Sequence, residues 1–305
     1  MEYVCNYMAA DGDPVGWARH REAQGWNLIS VADHFFTDRR PYAHVWVTLG
    51  AMAAATTTVG LTTAFVNNLF RNPVEVAQAS LSMQHLSQGR FELGLGAGWA
   101  RDEAEQAGMA YPDRGARAAM FAEAAEVLRS ILHTGGVDFD GDHYSVHIDG
   151  LGPVSDVAPP LVASVGGPRT IREVTPHCDR IELKAASTAT RDGALDFAAL
   201  TAIEDSQLID LVANARDANP DIDLGMFVLC NVGEDERTTQ LRRAMNGKLY
   251  GRFFGPPEHV AEGLAWLAEI GISRCQLSAF DDASLDRIAP LLFADRPELK
   301  PEARR

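Results

Sequence analysis

Asp33 and His34 are the first residues along the chain that could move a proton. They follow the apolar run 28–32, which has the length of one buried strand. A histidine titrates near neutral pH, and an adjacent aspartate can fix which ring nitrogen carries the proton. The pair is therefore a candidate for acid–base chemistry, with two polar residues at an ordinary strand end as the alternative. Neighbours on a strand point apart, so only a turn brings both side chains into one site.

Two glycine-rich turns are candidates for holding an anion. Gly96-Ala97-Gly98 follows the apolar run 91–95, and Gly166-Gly167 follows the run 160–165. Turns with almost no side chain let a ligand approach the backbone N–H groups, and Arg169 stands just after the second turn. Together the two turns predict a phosphate site, and plain tight turns between a strand and a helix are the alternative.

Further polar residues lie where other predicted strands end. The end of the third predicted strand carries Thr63, Ala64, Phe65 and Asn67. Small residues there leave room for a flat ligand, and asparagine tolerates irregular backbone. A strand end followed by a turn is the alternative. Lys184, one of only three lysines, ends the sixth strand. It is a candidate anion or substrate contact, with a solvent-exposed surface lysine as the alternative. The histidines show no metal-ligand spacing, so we expect no metal site. No nucleophile elbow, phosphate-binding P-loop or paired-cysteine motif occurs.

These candidates are positioned by a regular alternation of strands and helices. The predicted strands span residues 3–8, 28–32, 59–66, 91–95, 160–165, 180–183, 224–230 and 275–278. The predicted helices span 14–24, 45–55, 73–86, a stretch from about 117, 168–175, 206–218, 257–270 and 282–292, with a frayed tail from residue 295. Eight such pairs predict an α/β fold, a single-domain (β/α)8 TIM barrel over residues 1–305 with βα-loop insertions at 101–114 and 135–159. A doubly wound open sheet is the alternative, but Gly94-Leu95-Gly96-Ala97-Gly98 lacks the full dinucleotide spacing.

The bulk properties exclude several classes of partner. The net charge of −15 argues against nucleic acid and anionic membranes, and any anionic ligand needs local arginines or backbone amides. No apolar run approaches the roughly 20 residues of a membrane span, and the first residues lack signal-peptide features. Four widely spaced cysteines are expected to be buried thiols in a reducing compartment. We therefore expect a cytoplasmic protein.

The order of several motifs resembles one superfamily over nearly the whole chain. The resemblance rests on segments 31–35, 54–63, 70–78, 86–99, 165–169, 178–179, 255–260 and 271–272. Between them lie the further matching residues Glu103, Gly108, Tyr111-Pro112, Arg117 and Glu123. The sequence is similar to the bacterial luciferase-like flavin and deazaflavin oxidoreductases. Its most specific part is 86–99. Within that superfamily it is most similar to the branch that uses coenzyme F420, a deazaflavin with an acidic phospholactyl-glutamyl tail.

The resemblance implies a function and assigns roles to residues. It implies a barrel in which F420 exchanges a hydride with a small organic substrate at the carboxyl ends of the strands. It implies a non-prolyl cis peptide at Ala64–Phe65, or one residue earlier, that backs the deazaflavin ring. His34 would be the proton donor or acceptor, oriented by Asp33. The implied cofactor-binding residues are Thr63, Ala64, Phe65, Asn67, Gly96, Ala97, Gly98, Trp99, Gly166, Gly167 and Arg169, the backbone N–H groups of the glycine turns holding the phosphate. A homodimer is also implied.

Two departures bear on the substrate. Sugar-phosphate-oxidising relatives carry a glutamate where this chain has Trp99, and a tryptophan shortly after the Asp-His pair where this chain reads Phe36-Thr37-Asp38-Arg39. We therefore do not predict a sugar phosphate. A hydrophobic substrate beside Phe35 and Trp99, with Lys184 as a further contact, fits better.

Two other functions stay open. One is an FMN-dependent monooxygenase that receives reduced flavin from a separate reductase and uses O₂. The other is a degenerate, cofactor-free binding barrel.

Overall fold

Eight parallel strands close into a barrel. The computed structural model describes residues 1–9, 11–37, 40–190 and 193–294. The barrel strands are β1 (Glu2–Tyr7), β2 (Leu28–Val31), β3 (Gly60–Thr63), β4 (Phe91–Gly96), β5 (Leu161–Val165), β6 (Arg180–Leu183), β7 (Asp223–Val232) and β8 (Arg274–Ala279). Each strand pairs in parallel with the next, and β8 pairs with β1. The predicted barrel is confirmed, and the open-sheet alternative is wrong.

Helices follow the strands around the outside of the barrel. They are α1 (Pro14–Gln24), α2 (Val45–Ala55), α3 (Pro73–Leu86), α4 (Arg101–Gln106), α5 (Arg114–Thr134), α6 (Pro168–Val174), α7 (Phe197–Thr201), α8 (Asp205–Ala218), α9 (Glu236–Ala244), α10 (Pro257–Glu269) and α11 (Asp282–Leu292). The start of α1 illustrates why these helices begin where they do. Asp13 accepts a hydrogen bond from the Gly16 N–H at 2.9 Å, and proline occupies the first helical position.

The two insertions were predicted, but the secondary structure inside them and two short helices were not. The first insertion carries α4, and the second carries an antiparallel hairpin of Val137–Asp140 with Ser145–Ile148. In α9 the one buried residue is Thr238, and in α7 it is Leu200. Helices that bury so little have no apolar stripe in their sequence. The predicted frayed tail from residue 295 lies outside the described residues.

The strands bury their side chains on both faces, as parallel strands covered by helices must. Cys5, Cys230 and Cys275 lie in this core as free thiols, and burial raises their pKa values. Cys178 is also free and half-buried. The prediction of thiols is confirmed for the four cysteines. Within the described part of the chain, no helix has the length and apolar character that a membrane span requires.

A charged cluster lies among the amino-terminal halves of the strands. Arg274 is 1% exposed and donates to both carboxylate oxygens of Glu92, at 2.6 and 3.0 Å, and to Glu2 at 2.9 Å. Arg180 also pairs with Glu2, at 3.1 Å. Glu182 is 1% exposed, and its Oε2 has no hydrogen-bond partner among the described residues. Desolvation raises the pKa of Glu182 to about 7 despite the opposing attraction of the two arginines.

Glu182→Gln should flatten the dependence of stability on pH. The folded pKa of about 7 exceeds the usual value of 4.5, so the folded state binds this proton more tightly than the unfolded state. Stability should therefore fall as pH rises from 4.5 through 7, and the glutamine variant should lack that part of the fall. Above pH 7, the wild type should have lost at most about 3 kcal/mol of unfolding free energy that the variant does not lose. Urea unfolding at pH 5 and pH 8 measures it.

Glu269→Gln, at an exposed position, is the matched control and should follow the wild type at both pH values. An unchanged pH slope in Glu182→Gln would contradict this account of the cluster.

Candidate functional site

A cleft of about 370 Å³ opens at the carboxyl ends of the barrel strands. Most of the predicted site residues line it: Asp33, His34, Ala64, Phe65, Asn67, Gly96, Ala97, Gly98, Trp99, Gly166 and Lys184. Tyr42 and Phe227 also line the cleft, although no motif or spacing had selected them. In a barrel of this kind the carboxyl ends of the strands meet at one face, which is why residues far apart in sequence converge here.

His34 is held by a carboxylate from the first insertion. Its Nδ1 lies 2.7 Å from Oε2 of Glu103, which is on α4 and 2% exposed. The other oxygen of Glu103 accepts hydrogen bonds from the backbone N–H groups of Phe35 and Phe36. With Nδ1 occupied by the carboxylate, Nε2 is the ring nitrogen that can exchange a proton with a ligand. Glu103 thus fixes both the ring and the turn that carries it.

The predicted orienting role of Asp33 is wrong. Asp33 instead forms a two-point ion pair with Arg71, at 2.8 and 3.0 Å, and accepts from the Asn67 N–H at 3.0 Å. Asp33 and His34 thus point in different directions and bond different partners, as neighbouring residues on a strand do. The ion pair ties the end of β2 to the segment after β3. Arg71 and Glu103 both lie in segments that carry the family resemblance, but their local sequence assigns neither a role.

The end of β3 forms one wall of the cleft. The peptide bond between Ala64 and Phe65 is cis, at the position that the resemblance implied. Gly94 on β4 permits the close approach of this segment, because a Cβ there would lie 2.1 Å from the Thr63 carbonyl oxygen. Thr63 itself is buried, and its hydroxyl both donates to the Gly94 carbonyl and accepts from the Gly94 N–H. Its contact is therefore with β4 and not with the cleft.

The two glycine turns lie side by side because β4 pairs with β5. Within the described residues, the N–H groups of Gly98, Trp99 and Gly167 have no hydrogen-bond acceptor. Gly98 has a φ of +77°, a conformation that favours glycine, and a Cβ there would also meet Asn67 Oδ1 at 2.5 Å. A Cβ on Gly167 would meet nothing within 4 Å. A free donor therefore coincides with open space at Gly167, whereas the free donor of Gly98 lies in a closely packed turn.

Trp99 connects two parts of the cleft. Its ring lies 5.8 Å from the His34 ring in an edge arrangement, and the Lys184 ammonium lies 5.2 Å from its centroid. Lys184 thus lines the cleft, and the surface interpretation is wrong. Desolvation lowers the pKa of Lys184 to about 8.

Besides Thr63, three predicted site residues are absent from the cleft lining: Phe35, Gly167 and Arg169. Arg169 is largely exposed, bonds Glu173 on the same helix at 3.0 Å and donates to the Gly115 carbonyl. Phe35 is 38% exposed and stacks on Phe70, with ring centroids 4.6 Å apart. Gly167 directly follows Gly166, which does line the cleft.

Comparisons with known proteins identify the family of the chain. The family model described as luciferase-like monooxygenase matches residues 12–247. The F420-dependent glucose-6-phosphate dehydrogenase of Amycolatopsis mediterranei (strain U-32) is 32% identical over 162 residues, 51% of this chain and 48% of that protein. The enzyme of the same name from Mycobacterium avium (strain 104) is 33% identical over 154 residues, 48% of this chain and 45% of that protein. The chain spans about half the length of these curated relatives.

Solved structures match over almost the whole chain. An F420-dependent secondary alcohol dehydrogenase in complex with an F420–acetone adduct superposes with a TM-score of 0.72, at 21% identity and covering 100% of both chains. The EDTA monooxygenase EmoA from Chelativorans sp. BNC1 gives a TM-score of 0.72 at 14% identity, covering 96% of this chain and 94% of that one. At these identities the likeness shows the fold.

Breaking the Asp33–Arg71 pair should destabilise the protein strongly. Arg71→Met leaves the buried Asp33 carboxylate without its counter-charge, and we expect a loss of about 3–5 kcal/mol in the free energy of unfolding. Asp33→Asn combined with Arg71→Met should lose much less than the sum of the two single changes, because the pair acts as a unit. Urea unfolding of the four proteins measures the coupling.

Arg172→Met, at a side chain that is 72% exposed, is the control and should change stability by no more than about 0.5 kcal/mol. Additive losses in the double variant would contradict the assignment of a coupled buried pair.

Proposed function

The chain belongs to the luciferase-like monooxygenase family, and we propose that it transfers a hydride between coenzyme F420 and a small organic substrate. The observation that carries the proposal is the placement of His34, held by Glu103, in the cleft that also contains the two glycine turns. The names of the curated relatives and of the matching alcohol dehydrogenase support the choice of F420.

The cleft has features that fit such a cofactor. Its volume of about 370 Å³ falls in the range of small-molecule sites. Gly98 and Trp99 line the cleft, and Gly167 follows Gly166, which also lines it; the free N–H groups of Gly98, Trp99 and Gly167 are donors of the kind that binds a phosphate. Phe65 and Phe227, whose ring centroids lie 6.2 Å apart, provide an apolar surface for a flat ring. The same fit would suit FMN, which shares a tricyclic ring and a phosphate, so a direct test must separate the two.

When bound, the deazaflavin supplies the carbon that accepts or donates the hydride. The residues of the chain then have three tasks. The glycine turns and the aromatic wall hold the cofactor in one orientation, which brings the reacting groups together. His34 exchanges the accompanying proton at Nε2, and Glu103 keeps that nitrogen facing the ligand and stabilises the charged ring.

The substrate is proposed to be small and largely apolar. Trp99 stands next to His34 and presents an indole ring to the cleft. Phe35, which follows His34 in the chain, adds an exposed aromatic side chain. An indole offers a flat surface and a single N–H donor, so it favours a hydrophobic organic molecule over a heavily charged one.

F420 should bind to the purified protein, and FMN should bind much more weakly. Quenching of F420 fluorescence, together with co-elution on a gel-filtration column, measures the first interaction, and flavin fluorescence measures the second. Tight FMN binding with no F420 binding would contradict the proposal. It would favour the monooxygenase, which oxygen uptake with an added flavin reductase would then test.

His34→Gln should lower turnover by about 10²–10⁴-fold while leaving the F420 dissociation constant nearly unchanged. Glu103→Gln should lower turnover in the same direction by a smaller factor, because a neutral amide stabilises the charged ring less well. The assay is reoxidation of reduced F420 by a panel of ketones, aldehydes and conjugated enones.

His85→Gln, at an exposed position on α3, is the matched control and should retain wild-type turnover. Full activity of His34→Gln with an acceptor that the wild type reduces would contradict the role given to His34.

A further inference from the structure

We propose that Lys184 and the two glycine turns form a single phosphate site, in which the Lys184 ammonium supplies the positive charge. The inference rests on the proposed function, because the phosphate that we assign to it belongs to the cofactor. It changes the sequence-based picture, in which Lys184 is a substrate or surface residue and backbone donors alone hold the phosphate.

The side chain of Lys184 reaches across the end of a neighbouring strand. Lys184 follows β6, whereas Trp99, over whose ring the ammonium lies at 5.2 Å, follows β4. Since β5 lies between β4 and β6, the lysine side chain spans the part of the cleft next to the end of β5, where Gly166 also lines the cleft. Trp99 directly follows the first glycine turn, so its contact with Lys184 places the ammonium near that turn.

No carboxylate of the described residues neutralises Lys184. The acidic groups nearest the cleft are already engaged, Asp33 with Arg71 and Glu103 with His34. Of the other two lysines, Lys248 pairs with Glu204, and the third lies outside the described residues. A desolvated ammonium without a counter-ion is costly, and an anion in the cleft offsets that cost.

The charge of the whole protein favours a local cation at any anion site. The net charge of −15 opposes the approach of a phosphate, and the backbone donors of the turns carry no full charge to offset it. Arg169, the other cationic candidate, pairs with Glu173 and does not line the cleft. Among the described residues that line the cleft, Lys184 is the one cation without an anionic partner.

The arrangement of the cleft favours the phosphate of the cofactor as the ligand. The aromatic wall for the ring comes from Phe65 after β3 and Phe227 on β7, and the proton-exchanging His34 follows β2. The free N–H groups and Lys184 follow β4, β5 and β6. The ring and the phosphate of one molecule can thus occupy the two sides of the cleft at once.

The affinity for the phosphate should depend on pH through Lys184. The other titratable groups lining the cleft are Asp33, His34 and Tyr42, and each is engaged, with Arg71, Glu103 and the Thr37 hydroxyl respectively. Since burial lowers the pKa of Lys184 to about 8, the free protein loses this charge above that pH. Affinity for F420 should therefore fall as pH rises above 8, and Lys184→Met should not show that fall.

The test compares F420 with its deazaflavin–ribityl fragment, which has the same ring but lacks the phosphate and the tail. Lys184→Met should weaken F420 binding by about 10–100-fold and leave binding of the fragment unchanged. Lys184→Arg should recover part of the loss. Lys248→Met, at a lysine remote from the cleft, is the matched control and should bind both ligands like the wild type.

Equal weakening of both ligands, or no weakening of either, would overturn the proposal. A third measurement separates its failure from that of the proposed function. If the wild type binds neither deazaflavin, the proposed function fails. Titration with inorganic phosphate then tests the phosphate site independently of the cofactor. Phosphate binding that Lys184→Met abolishes supports the assignment. Phosphate binding that is absent, or that Lys184→Met leaves unchanged, overturns it.

Discussion

The candidate site depends on one buried carboxylate, that of Glu103. It comes from a short helix inserted after β4, yet it binds the histidine and two backbone N–H groups of the turn after β2. Three hydrogen bonds to one side chain that is 2% exposed leave the turn little freedom. The position of His34 in the cleft is therefore set by the insertion as much as by its own strand. A change in the packing of α4 should therefore alter the position of His34 through its hydrogen bond with Glu103.

Different barrel strands contribute different kinds of residue to the cleft. Residues after β2 and β3 provide the histidine, the ion pair of Asp33 with Arg71 and the cis peptide at Ala64–Phe65. Residues after β4, β5 and β6 provide small turns, free backbone donors and, in our proposal, one ammonium group. Barrel closure keeps these two groups of loops at a fixed separation. A ligand with a flat ring at one end and a phosphate at the other matches that division.

Much of the fold could be predicted because its signals are local. The helix Pro14–Gln24 was predicted to the residue, since Asp13 and proline mark its start and Gly25, with a φ of +91°, ends it. The site was harder, because its contacts join distant residues. Glu103 and His34 are 69 positions apart, and nothing near either residue specifies the pairing. Asp33 was assigned the orienting role from its adjacency to His34 and from the family resemblance. At the end of β6, the sequence cannot decide whether Lys184 faces solvent or the cleft, since one residue of register reverses the direction.

A crystal structure of the protein in complex with F420 tests the central claim most directly. The account predicts the ring against Ala64 and Phe65, with His34 beside its reactive carbon. It predicts the phosphate within hydrogen-bond distance of the glycine turns and of the Lys184 ammonium. A ring bound outside this cleft, or a phosphate lying in solvent away from both turns, would contradict the account.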